Sequence, residues 1–384
     1  MSIKIQIFKP SGELVSESNQ YKSYRFDSQY GVTADDFNAV LVDNNSDIQT
    51  GYEVKFFIDG AIGFRGIIQK KERSYDKNNR IVTISGKDRS SILIEGYCTS
   101  FKDFSSQSPK NIIDNLINQT NFYTKKKSDT DTKSDSTGFN SSSDLSDINS
   151  AISSDAQENE FLNENSDKTI YDTDFKQLSN REHLKIDIGD KVWDKISQVV
   201  STAGYEVLYQ ENGTLYIGDL EKKRLDENIV HEIICRYDGN GNNVLSCNEI
   251  DDISGRYSSI SVYSTPEGNT GTISSIGTAK DSTVPVKKYM AVVSNNENDS
   301  PVKLARRLRE EQRQDGYVLE YTVNGHVSEN GKIWAVNQSC NVLDEIIEKN
   351  ETFIIYGRTF IFSENEGTKT ILRLGKIKNF KSDL

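Results

Sequence analysis

The sequence predicts a mainly β protein with an α+β part, in which two small β-barrel (tube-like) domains flank a small α/β module. Three observations carry that expectation. Residues 51–86, GYEVKFFIDGAIGFRGIIQKKERSYDKNNRIVTISG, return in outline as Val342–Gly375, VLDEIIEKNETFIIYGRTFIFSENEGTKTILRLG. Each copy reads strand, tight turn, strand, polar hairpin, strand, with apolar or β-branched residues at every second position. Between the copies the period changes to a helical one, and the low-complexity segment 125–168 interrupts the middle of the chain.

The first hundred residues supply strands at Ile3–Phe8, Lys22–Phe26 and Asn38–Val42, then Val54–Ile58, Phe64–Gln69 and Ile81–Ser85. Asp59-Gly60 and Lys77-Asn78-Asn79 suit the tight turns between them, because Gly, Asn and Asp tolerate positive φ or cap a turn. Ser108 then caps a helix that opens on Pro109 and carries Ile112, Ile113, Leu116 and Ile117. Val192, Ile196, Val199, Val200 and Ala203 make a second helical stripe, closed by Gly204, before a hairpin Tyr205–Tyr209 and Thr214–Ile217. Strands follow at Ile229–Arg236, Val244–Asn248 and Ser258–Tyr263, and Thr265–Thr283 reads as a flexible excursion rich in Gly, Ser and Thr. A third helix spans 301–315, with Ser300 as cap, Pro301 first, and Leu304, Ala305 and Leu308 inward. The second copy supplies strands at Thr352–Tyr356, Arg358–Ser363 and Thr370–Leu374. The domains expected are 1–100 (first barrel, with 225–245 as a candidate segment returning to complete it), 101–224 (module with the insert 125–168) and 246–384 (second barrel). Within the insert, 148–152 and 158–162 are candidate short helices, and the rest has too little apolar surface to fold alone.

Composition narrows the function. The chain of 384 residues is 35% hydrophobic with a formal net charge of -12, and its mean hydropathy is -0.62. An acidic chain is a poor match for phosphate backbones, so specific nucleic-acid binding is not expected. The start MSIKIQIFKPSGEL lacks the basic and apolar regions of a signal peptide, and no apolar run is long enough to span a bilayer. The expectation is a soluble protein made in the bacterial cytoplasm, without direct membrane insertion. Cys98, Cys235, Cys247 and Cys340 are widely spaced and read as buried reduced thiols.

Candidate chemistry is sparse. Asp238, Asn240, Asn242 and Glu249 fall at positions 1, 3, 5 and 12 of an EF-hand-type calcium loop, but Asn243 replaces the turn glycine and the flanks read as strands. An Asn/Gly turn explains the same residues. His183, His231 and His326 lie on different elements, and Asp251-Asp252 and Asp187/Asp190 are pairs that an acidic chain produces by chance. No nucleophile elbow, phosphate-binding glycine loop or His-Glu-x-x-His motif appears, so the expectation is no enzyme, no cofactor and no resident metal. Arg306, Arg307, Arg309 and Arg313 form the basic cluster, interrupted by Glu310 and Glu311, and suit intrahelical ion pairs or an acidic neighbouring subunit.

The order of these elements resembles the baseplate hub proteins of contractile phage tails, of the Mu tail-protein and P2 late-control type, which have relatives in phage-tail-like bacteriocins (tailocins) and type VI secretion spikes. The segments that carry the likeness are VKFFIDGAIGFRGIIQKK, VTISGKDRSSILIEG, DIGDKVWDKISQVVSTAGYEVLYQENGTLYIG, RYSSISVYS, SPVKLARRLREEQRQDGYVLEYTVNGH and GKIWAVNQSCNVLDE. The resemblance implies a structural homotrimer in which each chain gives two similar barrels to one ring, so that three chains make six stations and a threefold hub abuts a sixfold tube. Its implied partners are the tail tube protein, the spike protein and the tape-measure protein. Its implied place is the tail baseplate of a virion or tail-like particle. Candidate subunit-interface residues are Arg256, Tyr257, Arg306, Arg309 and Arg313. A related tail position, such as a distal tail ring, is a further reading. The alternative from another class is a secreted β-rich carbohydrate-binding or carbohydrate-cleaving module, with Tyr205, Tyr209 and Tyr216 as sugar platforms.

Overall fold

The computed structural model describes residues 2–42, 47–77, 80–120, 122, 168–178, 182–264, 273, 275–294 and 300–376. The insert 125–168, with its candidate helices, lies outside the described residues except at its last position.

The chain opens with β1 (Ile3–Phe8), β2 (Leu14–Ser18), β3 (Tyr21–Gln29), β4 (Asp36–Val42), β5 (Glu53–Ile58), β6 (Ala61–Tyr75), β7 (Arg80–Asp88) and the short helix α1 (Ser91–Glu95). Alternation decides which side chains turn inward: Ile3, Ile5 and Ile7 on β1, and Val54, Phe56 and Ile58 on β5, are buried. The middle module contains β8 (Lys102–Gln107), α2 (Pro109–Asn118), β9 (Thr169–Tyr171), α3 (Thr173–Lys176), β10 (Glu182–Ile186), α4 (Val192–Thr202), β11 (Glu206–Tyr209), β12 (Leu215–Gly218) and α5 (Leu220–Glu227). Ser108 Oγ caps α2 by accepting from the Asn111 amide at 3.4 Å. Ile112, Ile113, Leu116 and Ile117 of α2 and Ile196, Val199 and Val200 of α4 close a core of the module's own.

The chain then runs through β13 (Val230–Cys235), β14 (Val244–Asp251), β15 (Ser259–Ser264), β16 (Ser275–Lys280), β17 (Tyr289–Ser294), α6 (Pro301–Gly316), β18 (Tyr317–Asn324), β19 (Ser339–Asp344), β20 (Lys349–Ser363) and β21 (Gly367–Gly375). The stretch expected to be a loose excursion thus contains β16, which pairs antiparallel with β15 while β17 pairs parallel on its other side. α6 covers this small sheet through Ala305, Leu304 and Leu308 against Val262, Ala279 and Val292. Ser300 begins α6 by its backbone, accepting from the Leu304 amide at 3.0 Å, and makes no side-chain cap bond.

The two expected barrels do not close separately. Their strands merge into one 13-stranded sheet, β14-β18-β21-β20-β3-β4-β7-β6-β5-β1-β2, with β19 also on β20 and β13 on β19. Pooling is favourable because both copies bury their inner faces in a single core, where Phe26, Phe56 and Phe64 meet Phe360, Leu372 and Tyr321. The segment 225–245, considered for the first barrel, instead pairs in the second copy: β13 lies parallel to β19, from Val230↔Ser339 to Cys235↔Asp344.

The duplication is real in the strands, but its register differs from the sequence expectation. β5 and β19 have 6 residues, β6 and β20 have 15, and β7 and β21 have 9. Thr352–Tyr356 and Arg358–Ser363, expected as two strands, are one strand interrupted by a bulge between Ile355 and Gly357. A bulge adds a residue and flips the alternation, so the apolar pattern changes phase and mimics a strand boundary. The true first turn of the second copy lies at 345–348, where Asp344 Oδ1 accepts from the amides of Ile346 and Ile347 at 2.9 and 3.2 Å. β6 carries the matching bulge between Ile68 and Lys70. Opposite it stands Gly86, where a Cβ would lie 1.9 Å from the Ile67 carbonyl oxygen. Gly86→Ala is therefore expected to destabilise the protein by about 1–3 kcal/mol or more, read as a lower urea midpoint, whereas an unchanged midpoint would mean that the bulge tolerates a side chain.

Candidate assembly surface

The two copies meet where β3 pairs antiparallel with β20, from Ser23↔Ser363 to Gln29↔Gly357. Tyr24 stacks on Phe362 with ring centroids 5.5 Å apart, and Phe26 lies opposite Phe360 one step along. Next in the row comes Arg358, which is 2% exposed. Its Nη2 donates to Ser28 Oγ at 2.5 Å and to the Gly63 carbonyl at 2.9 Å, and its Nη1 donates to the Trp334 carbonyl at 2.9 Å. The guanidinium also lies 3.9 Å from the centroid of Phe360, and Glu211 is 3.8 Å from Nη1. These bonds tie β3, the β5–β6 turn region and the loop before β19 to one side chain, and offset the cost of burying a cation. On the other face Thr359 donates to Asp27 at 2.6 Å.

His326 sits beside this junction, bonded to Tyr24 Oη at 2.8 Å through Nε2 and to Thr370 Oγ1 at 2.9 Å through Nδ1. Burial, followed by the Arg358 charge, pushes its pKa from 6.5 to about 3, so the ring is neutral in the folded chain. His231 is likewise buried, between Ser328 and Gln338, and stacks on Trp334. Both histidines serve as structural hydrogen-bonding groups; the side chain of His183 lies outside the described residues.

The sign of the pH effect follows. The unfolded His326 takes up a proton below about 6.5 and the folded one does not until about 3, so its contribution to stability is lost as pH falls across that window. Asp88, pushed up to about 7 by burial and the nearby Asp35 charge, works in the opposite sense. His326→Gln should therefore flatten the loss of stability between pH 6 and 4 by up to about 1.4 kcal/mol per pH unit relative to the parent, measured by urea unfolding. An unaltered slope would show that His326 is not held neutral.

Arg309 and Arg313 of α6 form an ion-pair network with Arg256 within the chain. Arg256 Nη2 lies 3.0 Å from Asp281 Oδ2, Arg313 Nη2 lies 2.9 Å from Asp281 Oδ1, and Glu310 Oε1 lies 2.7 Å from Arg309 and 3.2 Å from Arg313. Burial alone would raise the Asp281 carboxyl, but hydrogen bonds from Arg313, Thr283 and Arg256 outweigh it and hold the group well below the usual range. The network clamps α6 to the small sheet. Asp281→Asn leaves buried guanidinium charge uncompensated, and about 3–5 kcal/mol of destabilisation is expected, with amides of β15 to β17 exchanging first; uniform protection across the chain would count against a local clamp. Tyr257 and Arg306, the other two interface candidates, are half-buried, and Lys288 Nζ lies 4.5 Å from the Tyr257 ring centroid.

The calcium-type loop does not converge. Asp238 Oδ1 accepts from the Asn240 amide at 2.9 Å and Asn242 Oδ1 from the Arg236 amide at 2.7 Å, while Glu249 stands on β14, bonded to Tyr317 Oη and Lys349 Nζ at 2.8 Å each. The side chains that looked like ligands cap a turn. Nor do the tyrosines form a sugar platform: Tyr209 is buried, Tyr205 packs edge-on to Phe175, and Tyr216 faces Asp172 and Lys223. A cleft of about 210 Å³ lined by Leu208, Glu211, Lys223, Glu227 and Val336 is below the usual size of a small-molecule site. Among the described residues no group of three or more His, Cys, Asp or Glu is placed to hold a metal ion, and no helix is long and apolar enough to cross a membrane.

Of two exposed strand surfaces, β14 matches the strand expected at Val244–Asn248, and the extension of β6 escaped the sequence reading. β14 ends the sheet order, pairs with β18, and is exposed from Leu245 to Asp251. β6 continues past Gln69 as Lys70–Tyr75, paired with β7 and exposed except at the half-buried Lys71. Without an apolar face, alternation gives no signal there, and only the basic run Lys70, Lys71, Arg73 marks the place.

Two like strand units fused into one sheet, with small α/β layers beside it, make up a fold that solved phage tail proteins share. Residues 311–377 match the family described as tail protein, C-terminal domain. The tail protein from Neisseria meningitidis MC58 shares the fold at a TM-score of 0.73 and 18% identity, covering 98% of this chain and 97% of that one. The 43 kDa tail protein of prophage MuSo2 from Shewanella oneidensis does so at 0.68 and 16% identity, with 98% of each chain covered. The E. coli c3393 protein, described as a type VI secretion component with structural similarity to T4 tail proteins gp27 and gp5, gives 0.52 at 9% identity, covering 94% of this chain and 74% of that one. No curated protein matches the sequence. The likeness to phage tail proteins drawn from the order of segments is thus present in the fold across nearly the whole chain.

Proposed function

We propose that this chain is a structural, non-enzymatic baseplate hub of a contractile tail or related injection system, a trimeric adaptor joining the sixfold tail tube to the threefold spike. The observation that carries the reading is the pair of like strand units, β5-β6-β7 and β19-β20-β21, side by side in one sheet. A threefold assembly of such chains presents six like stations. Residues 1–100 and 246–384 supply the units, with Val230–Cys235 joining the second, and 101–224 forms the module between. The tube and spike proteins are the direct partners, and a tape-measure protein is a partner of the lumen. The net charge of -12 favours passage of DNA rather than its binding. In this reading the protein is made in the bacterial cytoplasm and built into a baseplate. Tyr257 and Arg306 lie at a subunit contact that Arg256, Arg309 and Arg313 shape from within.

Sedimentation velocity of the purified chain, alone and mixed with its spike protein, tests the proposal. A trimer in either condition is expected, and a monomer in both would overturn it.

A further inference from the structure

The internal duplication extends beyond the repeated segments. Reading pairings outward, the first unit has the antiparallel order β3-β4-β7-β6-β5, and the second has β14-β18-β21-β20-β19; beyond these β1 lies antiparallel to β5 and β13 parallel to β19, so the likeness stops there. Irregularities coincide as well. β3 shifts register against β4 between Tyr21 and Ser23, and β14 shifts against β18 between Val244 and Ser246. The bulges of β6 and β20 oppose equivalent points of β7 and β21, Gly86 and Leu374. Bulges are fixed features of a ladder, so they align the units residue by residue. Tyr24, Phe26 and Ser28 correspond to Cys247, Glu249 and Asp251, and Arg358, Phe360 and Phe362 correspond to Lys71, Arg73 and Tyr75.

Within the chain, one junction joins the units: β3 of the first on β20 of the second. Its counterpart would join β14 of the second unit to β6 of the first. No such pairing occurs within the chain among the described residues, and both segments are exposed. We propose that β14 of one chain pairs antiparallel with Lys70–Tyr75 of a second copy, repeating between chains the junction that β3 and β20 make within one.

Transferring the observed register places Cys247 opposite Tyr75, Glu249 opposite Arg73, Asp251 opposite Lys71 and Asp252 opposite Lys70. Three acidic positions of one edge meet three basic positions of the other, where opposite charges across strands are favourable and like charges are not. A one-residue slip would set Glu249 against Glu72 or Ser74, so the charges also select the register. The core-facing row Tyr24–Phe362, Phe26–Phe360, Ser28–Arg358 becomes a polar row between chains. That substitution has a physical reason: these edges are exposed in the free subunit, and charged edges resist indiscriminate strand pairing. The charged residues of both edges also have contacts on their own chain: Glu249 with Tyr317 and Lys349, Asp251 with Arg256, Asp252 with Ser254, Lys70 with Glu72 and Lys71 with the Ile48 carbonyl. Both partners of Glu249 sit at Oε1, so Oε2 is the oxygen a further cation would meet.

This inference rests on the trimeric reading, and a cross-linking experiment separates the two. Tyr75 is 85% exposed, so Tyr75→Cys should fold, and its thiol would face the native Cys247, which is also exposed. Directly opposed residues on antiparallel strands have Cα separations of roughly 4.5–5.5 Å, within disulfide range. Mild oxidation of full-length Tyr75→Cys protein at trimer-forming concentration should convert most chains to a covalent trimer on a non-reducing gel. Adding Cys247→Ser should abolish it, and Arg73→Cys, two positions out of register, should cross-link several-fold less. A sedimenting trimer without this cross-link would overturn the edge pairing and leave the trimer standing. A covalent dimer alone would overturn the ring closure, and a monomer with no cross-link, with and without the spike protein, would overturn both.

Discussion

The structure depends on the ladder between β3 and β20, because that pairing turns two short strand units into one sheet with one core. Small cores are marginal, and burying both inner faces together enlarges the apolar surface removed from water. Shared, the faces supply the buried aromatic cluster Tyr24, Phe26, Phe56, Phe64 and Phe360. Arg358 adds direction to this otherwise non-directional burial. A buried guanidinium finds its partners Ser28, Gly63 and Trp334 together in one relative placement of the units and would be costly in others.

The long strands make the shared sheet geometrically possible. The N-terminal half of β20 pairs with β19, while its C-terminal half lies between β21 and β3, and the bulge at Tyr356 lets the strand bend between these duties. β6 is built to the same plan, with its N-terminal half on β5 and its C-terminal half on β7. The difference is chemical: the half of β20 that meets β3 carries Phe360 and Phe362, whereas the equivalent half of β6 carries Lys71 and Arg73. One geometry thus serves a permanent junction with apolar side chains and an outward edge with charged ones.

Much of this was legible in the sequence. Strict alternation located β1, β5 and β7, Ser108-Pro109 located α2, and Asp59-Gly60, with φ of 49° and 87°, located the tight turn between β5 and β6. The duplication was also legible, although its register in the second copy was not, since the Tyr356 bulge breaks the phase and the 345–348 turn hides behind Ile346 and Ile347. Two separate barrels were expected because pairing between distant strands leaves no local mark. The Arg256, Arg309 and Arg313 cluster was visible as charge, but its partner Asp281 lay in a stretch read as a loop. β14 was legible over Val244–Asn248, but the exposed extension of β6 was silent, because periodicity reports burial and Lys70–Tyr75 has little to report.

The central claim is that one chain contributes two like stations to a ring. Electron-microscopy class averages of the assembled hub, viewed along its axis, test it most directly. The account predicts three chains per ring with six similar sheet lobes around the lumen, alternating between junctions within and between chains. A ring of six chains, or three chains showing three lobes, would contradict it.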